Sequence, residues 1–171
     1  MLFKLQYNYV LLLSLIGNFL ICQNNSCTTS IDTISSANYT VRVGQVLCIE
    51  RLGVFNGTVK LDGGLIQNNG VFKPQLLTII SGTLINSNKI VIVHDIILQS
   101  SSVLNTNKNS FIKVLGNLTI NGGVLKNSGI LNASNQLINN TGVFENKGII
   151  NCKVKIFGTN SYTNKGIINY E

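Results

Sequence analysis

A repeat constrains this chain more than any other feature. Val71, Ile90, Phe111, Ile130, Ile149 and Ile167 follow one another at spacings of 19, 21, 19, 19 and 18 residues. Turn-forming residues announce these positions: Asn-Asn-Gly at 68–70, Asn-Lys at 88–89, Asn-Ser at 109–110, Asn-Ser-Gly at 127–129, and Asn-Lys-Gly at 146–148 and 164–166. A fixed period of this length marks a solenoid, in which each repeat stacks on its neighbours. Such a fold presents an extended surface rather than a cavity, which favours a structural or binding role over an enzyme.

Two further columns share the period. One is Leu61, Ile79, Leu98, Ile120, Ile138 and Ile156; the other is Leu65, Leu84, Leu104, Leu125, Phe144 and Tyr162. Three strands per repeat, each ending in Asn, Gly or Ser, close a triangular coil, because Asn and Gly accept the backbone angles of sharp corners. The expected fold is all-β, a right-handed parallel β-helix of about six coils of 18–22 residues. Its expected core is these apolar ladders, so an aspartate at Ile130 should collapse it by burying an uncompensated charge. A column of Asn69, Asn88, Asn109, Asn127, Asn146 and Asn164 is expected to form an amide ladder at one corner.

The chain divides into three parts. Residues 1–22 read as a signal peptide, with Lys4 as the only charge and an apolar run from Val10 to Ile21 too short to span a bilayer. Cleavage after Cys22 would leave Gln23 first; lipidation of Cys22 and a retained anchor are the alternatives. Residues 23–40 are rich in Ser, Thr and Asn and read as a lead-in or cap. Residues 41–171 carry the repeats. No stable transmembrane span is expected.

Export permits a disulfide, and Cys27 with Cys48 is the natural pair. Cys152, in an apolar strand, reads as a small buried side chain. With one His and no Cys-x-x-Cys, no metal site is expected, and no cofactor is implied.

Without the leader, twelve basic and six acidic residues remain. The basic ones are scattered, which serves solubility and protects strand edges. Lys89, Lys108, Lys126, Lys147 and Lys165 recur with the period, and on a solenoid they form a candidate column for anionic glycans. Aromatic residues do not interleave with them, so no nucleic acid is expected.

The segments Gly-Asn-Leu-Thr-Ile-Asn-Gly-Gly (116–123), Leu-Lys-Asn-Ser-Gly-Ile-Leu-Asn (125–132) and Phe-Glu-Asn-Lys-Gly-Ile-Ile-Asn (144–151) resemble the Asn/Gly-rich parallel β-helix stretches of bacterial adhesins and autotransporter-like passenger proteins. The resemblance covers residues 41–171. It implies export, a cell-surface location, and a spacer or adhesive role with extracellular glycans or other surface proteins as partners.

Two alternatives belong to other classes. Polysaccharide-cleaving β-helices require clustered acids, whereas Asp62, Asp95 and Glu145 fall on different coils. The pair His94-Asp95 is adjacent in a strand context, where neighbours point apart, so no catalytic residue is assigned. The other alternative is a glycan-binding module using the Lys column. Sequons occur at Asn24, Asn38, Asn56, Asn117, Asn132 and Asn139; in a eukaryotic secretory route these are glycan acceptors and in a bacterium they carry no meaning, and because an Asn-rich chain also makes them by chance they do not define a kingdom. The repeats run to the end of the sequence without a polar cap. Either the sequence is part of a longer chain or its open end stacks on a partner; the second alternative gives end-to-end or edge association of the last coil, centred on Phe157, Tyr162, Ile167 and Ile168.

Overall fold

The computed structural model of the chain describes residues 26–153 and 162–170. The expected signal peptide, Ile156 and Phe157 lie outside them. The described strands are β1 (Thr29–Ile31), β2 (Ile34–Ser35), β3 (Tyr39–Arg42), β4 (Val46–Ile49), β5 (Val54–Phe55), β6 (Thr58–Asn68), β7 (Val71–Phe72), β8 (Leu76–Asn86), β9 (Lys89–Ile92) and β10 (Ile96–Leu98). They continue with β11 (Ser100–Asn105), β12 (Phe111–Val114), β13 (Leu118–Ile120), β14 (Val124–Asn127), β15 (Ile130–Ala133), β16 (Leu137–Asn139), β17 (Val143–Asn146), β18 (Ile149–Cys152), β19 (Tyr162–Asn164) and β20 (Ile167–Tyr170).

All described pairings are parallel, each strand lying on its counterpart one turn away. The chain is an all-β parallel solenoid of about seven turns, one more than the spacing predicts. The first face follows the order β1-β4-β6-β8-β11-β14-β17-β19, the second β2-β5-β7-β9-β12-β15-β18-β20, and the third is the short sheet β10-β13-β16. The extra turn comes from the Ser/Thr/Asn-rich stretch: β1 pairs with β4 and β2 with β5, so coiling begins before Val41.

The register corrects the expected columns by one residue at several points. Val71 pairs with Lys89, and Lys89 with Phe111, so Ile90 belongs to the next column. Phe111, Ile130, Ile149 and Ile167 do stack, but outward. The inward column is Phe72, Ile90, Ile112, Leu131 and Ile150, every member buried, with Ile168 packed against its end. Leu131 has 0 % exposure, while Ile130 is half-buried on the opposite face. Ile130 is therefore not a core position, and an aspartate there would reach solvent.

The other two columns shift in the same way. Ile66, Leu84, Val103, Leu125, Phe144 and Tyr162 stack in register, so Leu65 and Leu104 face out. Leu61 pairs with Ile79, and Leu98 with Ile120 as expected, but Ile120 pairs with Asn139 rather than Ile138. The cause is the parallel sheet itself. Pairs such as Ile130-Leu131 and Ile149-Ile150 are apolar on both faces, so alternation alone does not choose the inward one.

The corners use two kinds of glycine. Gly44, Gly63, Gly82 and Gly122 have φ between 79° and 103°, a region that L side chains rarely adopt. They bend the chain between the third and first faces. Gly129, Gly148 and Gly166 serve close approach: a Cβ on each would collide with the carbonyl oxygen of Ser110, Gly129 and Gly148 respectively, one coil earlier.

Candidate functional site: an internal amide ladder and two outward surfaces

One corner carries a polar column inside the coil. Asn68, Asn86, Asn105, Asn127 and Asn146 are buried, and Asn164 follows them. Each Nδ2 donates to the Oδ1 of the next, at 2.7, 2.8, 2.7, 2.9 and 2.8 Å. The same amides also reach main-chain carbonyls; Asn127 Nδ2 donates to Gly129 O and Ile149 O, both at 3.1 Å. The main-chain N–H groups of Gly148 and Gly166 donate to Asn146 Oδ1 and Asn164 Oδ1 at 3.1 Å, which fixes which side-chain atom is oxygen. Burying an amide is costly unless it is hydrogen-bonded, and stacking the coils gives each Nδ2 from Asn68 to Asn146 a partner on the next.

The expected column coincides with this ladder in its last three members and departs from it in the first three, by one, two and four residues. Asn127, Asn146 and Asn164 belong to it, but Asn69, Asn88 and Asn109 lie in the turns beyond it. The true members are Asn68, Asn86 and Asn105. The usable signal was the distance from each Asn to the apolar strand that follows: Asn-x-Gly-Ile and Asn-x-Gly-Val hold it constant at three residues, in 127–130, 146–149, 164–167 and 68–71.

The second face presents a different column to the outside. Phe111, Ile130, Ile149 and Ile167 form an aliphatic and aromatic strip. Beside it, in register, lie Lys113, Asn132, Asn151 and Asn169. Asn151 Nδ2 donates to Asn132 Oδ1 at 2.7 Å, and Asn169 Nδ2 to Asn151 Oδ1 at 2.8 Å. This external ladder was not foreseen from sequence, because its asparagines sit within strands rather than turns.

The five lysines occupy different places. Lys147 and Lys165 hold equivalent corner positions, each following a ladder asparagine. Together with Glu145, Asn146 and Thr163 they line a cleft of about 190 Å³. Lys126 lies on β14 and pairs with Glu145 at 3.4 Å. Lys89 sits on the second face beside Phe111, and Lys108 in the turn before β12. The register thus brings two of the five together.

Cys27 and Cys48 form a disulfide with Cα atoms 5.7 Å apart. It fastens the chain ahead of β1 to the outward side of β4. Cys27, Cys48 and Glu50 place potential metal-donor atoms close together, but the disulfide uses both sulfurs. Cys152 is 1 % exposed and stacks on Ala133, as its apolar strand suggests.

His94 and Asp95 are a corner. Asp95 Oδ1 accepts the Asn117 main-chain N–H at 2.6 Å, and Oδ2 accepts its side-chain amide at 3.2 Å. These two bonds, the main-chain one foremost, hold the Asp95 carboxyl below its usual range, with a smaller pull from His94. Asp95 thus ties one coil to the next. Asp62 pairs with Lys60 at 3.4 Å.

Of the association-end residues, Tyr162, Ile167 and Ile168 lie on the last described strands. The Tyr162 ring rests 5.2 Å from that of Phe144, and partial burial pushes its phenol upward. Ile167 and Tyr170 are each 56 % exposed. No helix among the described residues is long and apolar enough to cross a membrane.

These features define a class, a parallel β-solenoid built on stacked amides. No family model, curated protein or solved structure matches the chain.

Proposed function

We propose that the chain is an exported, cell-surface structural module, adhesin-like in character, whose outward second face contacts extracellular glycans or other surface proteins. The observation that carries this reading is the strip of Phe111, Ile130, Ile149 and Ile167 beside the bonded amides of Asn132, Asn151 and Asn169. A surface repeating at the strand spacing of about 4.8 Å offers a long polymer many equivalent weak contacts rather than one reaction centre. The disulfide agrees with an oxidising compartment. The test is binding of the purified full chain to arrayed glycans and to intact cell surfaces. Retention that falls at least tenfold in Ile149→Glu supports the reading. Release of new sugar ends from a bound polysaccharide would replace it with the enzymatic alternative.

The Lys147–Lys165 cleft favours a second reading, an anionic-glycan subsite. That reading predicts salt-sensitive binding lost in the double variant Lys147→Ala/Lys165→Ala and kept in Ile149→Glu. Self-association along the edge of β19 and β20 belongs to the same structural role. A full chain that remains monomeric at high concentration in light scattering would remove it.

A further inference from the structure

We propose that Asn38 is an N-glycan acceptor. Five sequon asparagines fall among the described residues, and the fold treats them unequally. Asn139 is 2 % exposed, and its Oδ1 accepts the Gly142 N–H at 3.1 Å. Asn117 commits its Nδ2, the atom that would be modified, to Asp95 Oδ2 at 3.2 Å. Asn132 is half-buried in the external ladder, where its Oδ1 accepts Asn151 Nδ2. Asn56 is half-buried in a tight corner, its own N–H donating to Ser35 O at 2.8 Å.

Asn38 differs from all four. It is exposed, and so is Thr40, the residue that completes the Asn-x-Thr motif. Strand alternation puts these two on one side, while Tyr39 between them packs its ring 5.8 Å from that of Phe55. Asn38 Oδ1 accepts the Thr58 N–H at 3.2 Å. That bond engages the carboxamide oxygen and not Nδ2, so a sugar on Nδ2 keeps the contact. The chemistry is a glycosyl transfer from a polyprenyl-diphosphate-linked oligosaccharide. The sugar C1–O bond breaks as C1–Nδ2 forms, the diphosphate departs with the electron pair, and one amide proton passes to the transferase's base. A bulky, solvated chain at this corner would shield the first coils from pairing with other strand edges.

The proposal rests on the export reading, because the donor meets a polypeptide only inside a secretory lumen. The test expresses the full chain in a eukaryotic secretory host, once with its own leader and once behind a host leader. Secreted protein is analysed by glycosidase digestion and peptide mass spectrometry. The expected result is glycan on Asn38, none on Asn139, and loss of the Asn38-linked mass step in both Asn38→Gln and Thr40→Ala. Thr40→Ala leaves the bond from Thr58 to Asn38 intact, so it separates loss of the motif from loss of the fold. Secreted wild-type protein with bare Asn38, or a mass step that persists in Thr40→Ala, overturns the proposal. Secretion with Asn38 glycan only behind the host leader would refute export by the native leader and leave the Asn38 assignment standing.

Discussion

The first coils and the later ones solve the same stacking problem with different materials. At the ladder corner the early coils place Ile31 and Ile49, both buried and apolar; from the next coil onward the position is asparagine. On the second face the early coils stack Phe55 on Phe72, ring centres 5.4 Å apart, where later coils use Ile90, Ile112, Leu131 and Ile150. The early coils also carry the disulfide. Their third and first faces are joined in single eleven-residue strands, β6 and β8, bent at Gly63 and Gly82. The later coils break each such strand in two, as in β13 and β14. The comparison teaches that a rung needs only volume and hydrogen-bond closure. Aromatic area and a covalent tie serve at one end, repeated amides at the other. The junction leaves a trace: Asn68 Oδ1, next to Ile49, is buried without a hydrogen-bond partner.

The largest expected effect breaks the later coils. Leu131→Asp buries a charge in the inward column and should abolish folding, as read by loss of the β-sheet circular dichroism signal. Ile130→Asp, one residue away on the outer face, should cost no more than about 1 kcal/mol in urea unfolding. Equal loss in both variants would invalidate the register.

The amide and aromatic devices can be compared directly. Asn127→Leu leaves the Asn105 amide, Asn146 Oδ1 and the Gly129 and Ile149 carbonyls each short of a partner, at about 1–3 kcal/mol for each stranded group. Phe72→Ala should cost about 3–5 kcal/mol through the void it opens. The difference lies in rescue. Adding Asn146→Leu to Asn127→Leu should cost less than the sum of the two single changes, because the second removes a group the first stranded. Strict additivity would contradict a connected ladder.

Removing the covalent tie should act locally. Cys27→Ser opens a link between residues 21 apart in sequence, worth about 3 kcal/mol in the chain-entropy account. Hydrogen exchange should then quicken in β1 and β4 and stay unchanged in β15 and β18. Uniform quickening would show that the two regions unfold as one.

The smallest effect belongs to Asp95. Its carboxyl lies below its usual range in the fold, so the contact with Asn117 contributes fully above the unfolded value and fades as pH falls through the folded one. Wild type should therefore lose its advantage over Asp95→Ala only in acid. An advantage that persists unchanged to the lowest pH at which the fold survives would contradict the assignment.

The period and the parallel coil were legible because turn chemistry and apolar spacing repeat together along 68–167. The inward face was not. Val124-Leu125 and Ile149-Ile150 offer an apolar residue to both sides, and β strands alternate with a period of two, so a one-residue slip exchanges faces without disturbing the pattern. Lys89 was the available clue: it shares the column of Val71 and Phe111, and a lysine seldom belongs to a core. The Asn ladder is legible where a corner holds one asparagine, at 127, 146 and 164, and ambiguous where neighbours compete, at 68–69, 86–88 and 105–109. The external ladder of Asn132, Asn151 and Asn169 escaped because nothing local distinguishes a strand asparagine that stacks from one that does not.

The central claim is that a column of bonded side-chain amides runs through the later coils. Hydrogen exchange of asparagine side-chain amides, followed by NMR on the full chain, tests it most directly. The account predicts slowly exchanging Nδ2 protons for Asn86, Asn105, Asn127 and Asn146, with fast exchange for Asn69 and Asn109 in the adjoining turns. Side-chain amides that all exchange at the same fast rate would contradict it.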